Sequence, residues 1–122
     1  MKLGTPYEGL GALKQAIMKA YNTVNQELYG LGVRSLKVEV VGNKIMIVAH
    51  HERIRGLAAL DQTNRAATRA IDVALLDENK KRLHRELEKV LPVKVKTVLK
   101  DYDPFTELSG TIIVTEEALL GT

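Results

Sequence analysis

The side chains best suited to chemistry in this sequence are its histidines and the acidic residues near them. His50, His51 and Glu52 are consecutive, but neighbouring residues of a strand point to opposite faces, so the two imidazoles are poorly placed to share one metal ion. His84 and Glu88 are four residues apart, the ordinary spacing of a solvent-exposed contact on a helix. We therefore predict no metal site and no cofactor.

Arginines around the start of a predicted long helix make the best candidate for a binding site. Arg65 and Arg69 share one helix face, and Arg53 precedes them. Guanidinium groups, together with the positive end of the helix dipole, favour a phosphate or a carboxylate. The alternative is that these arginines form ion pairs with neighbouring acidic residues, namely Asp61, Asp72 and Glu52.

An enzymatic interpretation requires a histidine with an acidic partner, such as His50 or His51 with Asp101 or Asp103. Asp101 and Asp103 are also typical of a turn, in which short acidic side chains bond nearby backbone amides. The chain has no cysteine, and it contains no nucleophile-elbow motif, phosphate-binding loop or dinucleotide fingerprint. We therefore predict no catalytic residues.

Composition limits the class of protein further. The 122 residues suit a single domain spanning 1–122, with 1–5 and 116–122 as loose ends. No apolar run reaches the roughly 20 residues of a membrane-spanning helix, the first residues lack a signal-peptide core, and we expect a cytoplasmic protein. The net charge of +3 combines a basic body with an acidic end after Lys100, and aromatic residues make up only 4% of the chain. This combination disfavours nucleic-acid binding.

Hydrophobic periodicity predicts the elements that position these residues. A capping box at Thr5-Pro6-Tyr7-Glu8 begins a helix that Gly30 ends. Gly42-Asn43 is the turn of a hairpin in which Val40 faces Ile45 and Val38 faces Ile47. A long helix covers roughly 64–91, with an irregularity near 77–79, and ends before Pro92.

The remaining segments predict a second hairpin. Val93, Val95, Thr97 and Leu99 alternate with polar residues and form the buried side of one strand, and residues 108–115 form the other, with a bulge or close approach at Gly110. The fold class is α+β: a two-layer sandwich with a mainly antiparallel four-stranded sheet, in α-β-β-α-β-β order, and a long helix packed on one face. Met46 and Val48 lie on the other face, which predicts an interface and a homodimer.

Several segments together resemble the MpsC-like family, a group of small bacterial proteins of unknown function. They are Glu27–Val33 with its Gly-x-Gly after an aromatic residue, Val40–Val48, Thr68–Arg69 with Asp72, Lys80–Leu91, and Lys100–Pro104 followed by Thr106–Ile112. The positions that carry the family motifs are Gly30, Gly32, Arg69, Asp72, Asp101, Tyr102 and Asp103. The family's name associates it with a sodium-translocating, membrane-potential-generating system, so the resemblance implies an accessory role beside a membrane transport protein.

Two functions remain open from the sequence. The first is a soluble, non-enzymatic accessory or interaction protein that self-associates. The alternative is a domain that binds a small anionic ligand, such as a nucleotide or a phosphorylated metabolite, at Arg53, Arg65 and Arg69.

Overall fold

The computed structural model describes residues 9–119, in which two helices pack on one face of a four-stranded sheet and a short third helix packs against one of them. The elements are α1 (Leu10–Tyr29), β1 (Ser35–Val41), β2 (Lys44–His50), α2 (Arg55–Asp61), α3 (Arg65–Val90), β3 (Val95–Asp103) and β4 (Leu108–Thr115). The strand order is β1-β2-β4-β3, and all neighbouring strands are antiparallel. The α+β sandwich with a long helix on the sheet is therefore confirmed.

Helix α1 forms because apolar residues recur at three- and four-residue steps along one of its sides. Leu13, Ile17 and Val24 are buried in the core, and Gly30 ends the helix in the left-handed conformation, with φ 69°. The predicted capping box at residues 5–8 lies outside the described residues.

Helix α3 is the longest helix of the layer that packs on the sheet. The Asn64 side chain accepts a hydrogen bond from the Ala67 amide at 3.1 Å, which satisfies one free donor of the first turn. The helix runs without interruption through 77–79, so the irregularity expected there is wrong. Asn79 instead turns inward and donates to the Tyr29 hydroxyl at 3.4 Å. Both predicted ends of the helix are correct within one residue.

The first hairpin has the register that its alternating pattern predicts. Val40 pairs with Ile45 and Val38 with Ile47 around the Gly42-Asn43 turn. Ile45 and Ile47 are fully buried under the helices. The opposite face of this hairpin points away from every described helix.

Strand β3 differs from the prediction because its pairing with β4 shifts by one residue at Lys96. Val95 pairs with Thr115, whereas Thr97 pairs with Val114, so Lys96 is an extra residue in the ladder. Side chains alternate strictly along a strand, so one inserted residue exchanges the two faces beyond it. Leu99, expected in the core, is 55% exposed.

The same shift turns Val98, Lys100 and Tyr102 towards the helices. Gly110, where a bulge or close approach was expected, pairs regularly with Val48 and Asp101, and a side-chain carbon built there meets nothing within 4 Å. The bulge therefore lies in β3 and not in β4.

The segment after β4 is not the loose end expected from the sequence, as far as residue 119. Leu119 is fully buried, and its amide donates to the Gly42 carbonyl at 3.1 Å. The Thr115 hydroxyl donates to the Glu117 carbonyl at 2.6 Å. Residues 1–5 and 120–122 lie outside the described residues.

Candidate functional site

A small cavity of about 50 Å³ lies where the end of α1, the loop after β2, the middle of α3 and the β3–β4 hairpin meet. Its walls include Tyr29, His51, Leu76, Tyr102 and Ser109, and Lys100 lines it as well. A cavity of this size accommodates a few water molecules or a ligand of a few heavy atoms. Its polar wall is therefore the natural place to look for chemistry.

Lys100 is the unusual residue of this wall. Its Nζ donates to the Tyr21 hydroxyl at 2.8 Å, to Ser109 Oγ at 3.0 Å and to Thr111 Oγ1 at 3.2 Å. Among residues 9–119, no carboxylate forms an ion pair with it. Burial without a compensating negative charge lowers the pKa of Lys100 to about 7. A large fraction of this amine is therefore neutral at physiological pH.

Tyr21 connects Lys100 to His51. The Tyr21 hydroxyl lies 2.7 Å from His51 Nε2, and because its oxygen accepts from Lys100, its own proton is free to be donated to the imidazole. Burial, and secondarily the charge of Lys100, lower the pKa of His51 to about 4. The imidazole is therefore neutral at pH 7 and can accept that proton.

Tyrosine rings hold the His51 imidazole in place. Tyr21, Tyr29 and Tyr102 all make edge-on contacts with it, with ring centroids 5.7 to 6.3 Å apart. The Tyr102 hydroxyl also donates to the His51 carbonyl at 2.9 Å. Burial raises the pKa of both Tyr21 and Tyr102 to about 12. These hydroxyls therefore stay protonated at neutral pH.

Arg53 forms the charged rim of the cavity, but carboxylates occupy its guanidinium group. It donates to Asp72 at 2.7 and 3.1 Å and to Asp61 at 2.9 and 3.0 Å. Arg65 adds contacts of 3.4 Å to Asp72 and 3.5 Å to Asp61. The hydrogen bonds from Arg53 hold the pKa of Asp61 at about 2. Two arginines and two aspartates thus form a neutral cluster.

The structure brings together only part of the predicted arginine site. Arg53 and Arg65 converge, but on Asp61 and Asp72 and not on a free space. Arg69 is exposed on α3, and within residues 9–119 it has no side-chain hydrogen bond or ion pair. The ion-pair alternative therefore describes the arrangement of Arg53 and Arg65.

The histidine–aspartate pairs that an enzymatic interpretation requires do not form. His50 lies 3.4 Å from Glu107. Asp101, expected in a turn, lies within β3 and accepts from the Tyr102 amide at 2.8 Å, whereas Asp103 ends that strand and accepts from the Phe105 amide of the following turn at 2.9 Å. Their carboxylates are exposed, whereas His51 faces the cavity.

Three of the positions on which the resemblance depends line the same cavity, whereas Gly30 ends α1. Gly32 lines it next to the end of α1, and Asp72 and Tyr102 both line it as well. Tyr102 also lies under Arg53, whose guanidinium carbon is 5.8 Å from the ring centroid. Sequence reasoning missed Lys100, which the shifted register of β3 turns inward, and therefore also its hydroxyl partners Tyr21 and Ser109.

The outer face of the sheet is the second candidate site. We use this name for the outward-pointing residues of the four strands. Six of its aliphatic side chains are 41 to 67% exposed: Val41, Met46, Val48, Leu99, Leu108 and Ile112. Strand pairing places Glu39, Met46, Ile112 and Leu99 in one row across the sheet, and Lys37, Val48, Gly110 and Asp101 in the next. The two predicted interface residues thus occupy the centre of a continuous apolar patch.

Comparisons with known proteins leave the family of this chain open: no family model matches it, and neither a curated protein nor a solved structure shows significant similarity to it. Within residues 9–119, no helix is both long and apolar enough to cross a membrane. The same part of the chain holds no group of three or more histidine, aspartate or glutamate side chains arranged to bind a metal ion.

Proposed function

We propose that this chain is a cytoplasmic interaction protein that forms a homodimer through the outer face of its sheet. The observation that carries the proposal is the apolar patch around Met46, Val48 and Ile112, which no helix among residues 9–119 covers. Contiguous exposed apolar surface of this kind is typical of a protein–protein interface, whereas isolated exposed apolar residues are not.

The occupant that fits this face best is a second copy of the same face. Consider two sheets packed face to face about a two-fold axis parallel to the strands, the usual aligned arrangement of stacked sheets. The axis places β1 of one copy over β3 of the other and β2 over β4. A rotation about this axis leaves the position of each residue along the strand direction unchanged. Each row of residues therefore meets the same row of the second copy.

This arrangement pairs opposite charges in one row and apolar side chains in the next, where it also places Glu39 over Leu99 of the second copy. Lys37 lies opposite Asp101 of the second copy, so opposite charges meet at both edges of the interface. In the same row, Val48 lies over Gly110 of the second copy, where a missing side chain leaves room for it. Met46 lies over Ile112 in the neighbouring row. Four strands of seven residues give a face of roughly 19 by 23 Å, which is smaller than a typical stable interface and suits a weak dimer.

The test is sedimentation equilibrium of the wild-type chain and two kinds of variant. Val48→Lys should weaken the dimer at least about tenfold, because it places a charge in the centre of the apolar patch. Val73→Lys is the matched control, since Val73 is 45% exposed on α3 and Val48 is 47% exposed on β2. Lys37→Asp and Asp101→Lys should each weaken association, and the double variant should restore it.

Two outcomes would contradict the proposal. One is a wild-type chain that stays monomeric at high micromolar concentration. The other is a dimer whose dissociation constant Val48→Lys and Val73→Lys change equally.

Anion binding at Arg53, Arg65 and Arg69 gains no support from the geometry, because Asp61 and Asp72 neutralise the first two arginines and the third lies apart from them. A partner protein in a membrane ion-translocation system rests on the family resemblance alone and stays a prediction.

A further inference from the structure

The cavity beside Lys100 has features that self-association does not explain. Lys100 and Ser109 both line it, and Ser109 Oγ is 3.0 Å from Lys100 Nζ. The partners of the amine are three hydroxyl groups and no carboxylate. Most lysines that serve only stability are solvated or paired with an acid.

An amine in this environment is suited to act as a nucleophile. The neutral form carries the reactive lone pair, and removing a lysine from water favours that form. The lowered pKa of Lys100 agrees with this geometry. The titratable groups that face the amine are Tyr21 from α1 and His51 from the loop after β2, and both are neutral at pH 7.

We propose that this cavity binds a small, uncharged aldehyde or ketone and that Lys100 Nζ forms an imine with its carbonyl carbon. An uncharged ligand is favoured because Arg53 and Arg65 are bound to Asp61 and Asp72, so neither guanidinium group is free to hold a carboxylate. The volume of about 50 Å³ limits the ligand to a few heavy atoms beyond the carbonyl group.

The chemical step is balanced without any oxidant or reductant. The neutral amine adds to the carbonyl carbon, a C–N bond forms, and the carbonyl oxygen takes up a proton to become a hydroxyl. The nitrogen then loses a proton, for which the Tyr21 hydroxyl and His51 Nε2 provide a path. The second proton of the nitrogen then passes to the new hydroxyl group, the C–O bond breaks, and water leaves as the C=N bond forms, so amine and carbonyl compound give imine and water.

The test uses the wild-type protein with propanal and cyanoborohydride at pH 7, the reductant serving only to trap imines. Peptide mapping by mass spectrometry then measures propyl groups on Lys100 and on Lys96, an exposed lysine of the same strand that is the internal control. We expect Lys100 to be labelled about tenfold faster or more, since an ordinary lysine is almost entirely protonated at this pH. The preference should disappear in urea, and Tyr21→Phe should slow labelling of Lys100 but not of Lys96.

Four results would overturn the proposal or one of its parts. Lys100 labelled no faster than Lys96 in the folded protein would show that its amine is not a reactive site. A preference that persists in urea would show that local sequence causes it. Faster trapping of pyruvate than of propanal at Lys100 would show that the ligand class is charged. Unchanged labelling of Lys100 in Tyr21→Phe would show that the Tyr21 hydroxyl does not provide the proton path.

Discussion

Replacing Arg53 with methionine should lower the free energy of unfolding by about 3 kcal/mol, because it leaves the buried carboxylate of Asp72 without its main partner. The Arg53 side chain is only 8% exposed and that of Asp72 only 11%. Methionine fills similar volume, so the loss measures the ionic contacts more than packing. Without Arg53, Asp72 keeps only the longer contact to Arg65 at 3.4 Å. Urea denaturation followed by circular dichroism gives the change directly.

Arg34→Met is the matched control for this prediction. Arg34 also pairs with an acid, Glu52 at 3.7 Å, but its side chain is 61% exposed, and exposed ion pairs contribute little to stability. Arg53→Lys should be intermediate, because an ammonium group keeps the charge but cannot donate to two carboxylates in the same geometry. Equal losses for Arg53→Met and Arg34→Met would contradict the assignment of Arg53 to a structural cluster.

The free energy of unfolding should rise with pH between about 7 and 10 by up to about 1.4 kcal/mol per pH unit. In this window the unfolded chain still holds the proton that Lys100, with its folded pKa of about 7, has released. Folding therefore releases a proton in this window, so raising the pH favours the folded state. Below pH 7 both states are protonated, so Lys100 contributes no slope there.

Lys100→Met tests the origin of this slope. The variant should show a nearly flat profile over the same window, whereas Lys96→Met should keep the wild-type rise. Other groups act outside the window: His51, with its pKa lowered to about 4, destabilises the fold as pH falls below its ordinary value of 6.5. Tyr21 and Tyr102, with pKa values raised to about 12, do so as pH rises above 10. A rise that survives in Lys100→Met would mean that another group causes it.

The first hairpin could be predicted to the residue, and the second could not. Apolar residues occupy every second position on both sides of Gly42-Asn43, so only one pairing register buries Ile45 and Ile47. In β3, the residues on either side of Lys96 continue the alternation equally well, so nothing local reveals the extra residue. Pairing with β4 selects the bulged register, which buries Val98.

The cavity escaped prediction for a related reason. Tyr21 and Lys100 are 79 positions apart, and their contact depends on the shifted register that turns Lys100 towards the helices. The arginines were found by their charge, but charge alone could not distinguish a free anion site from a cluster with Asp61 and Asp72. The apolar outer face was found because its pattern is local to one hairpin, and β4 and the shifted β3 then extend it with Ile112 and Leu99.

The central claim is that two copies of this chain meet through the outer faces of their sheets. The most direct test is an isotope-filtered nuclear Overhauser measurement on a mixed dimer, in which one copy is isotopically labelled and the other is not. We expect intermolecular contacts between the Met46 methyl group of one copy and the Ile112 methyl groups of the other, and between Val48 of one copy and the Gly110 α-protons of the other. Intermolecular contacts confined to the exposed edge of β1, or to helix residues such as Val73, would contradict it.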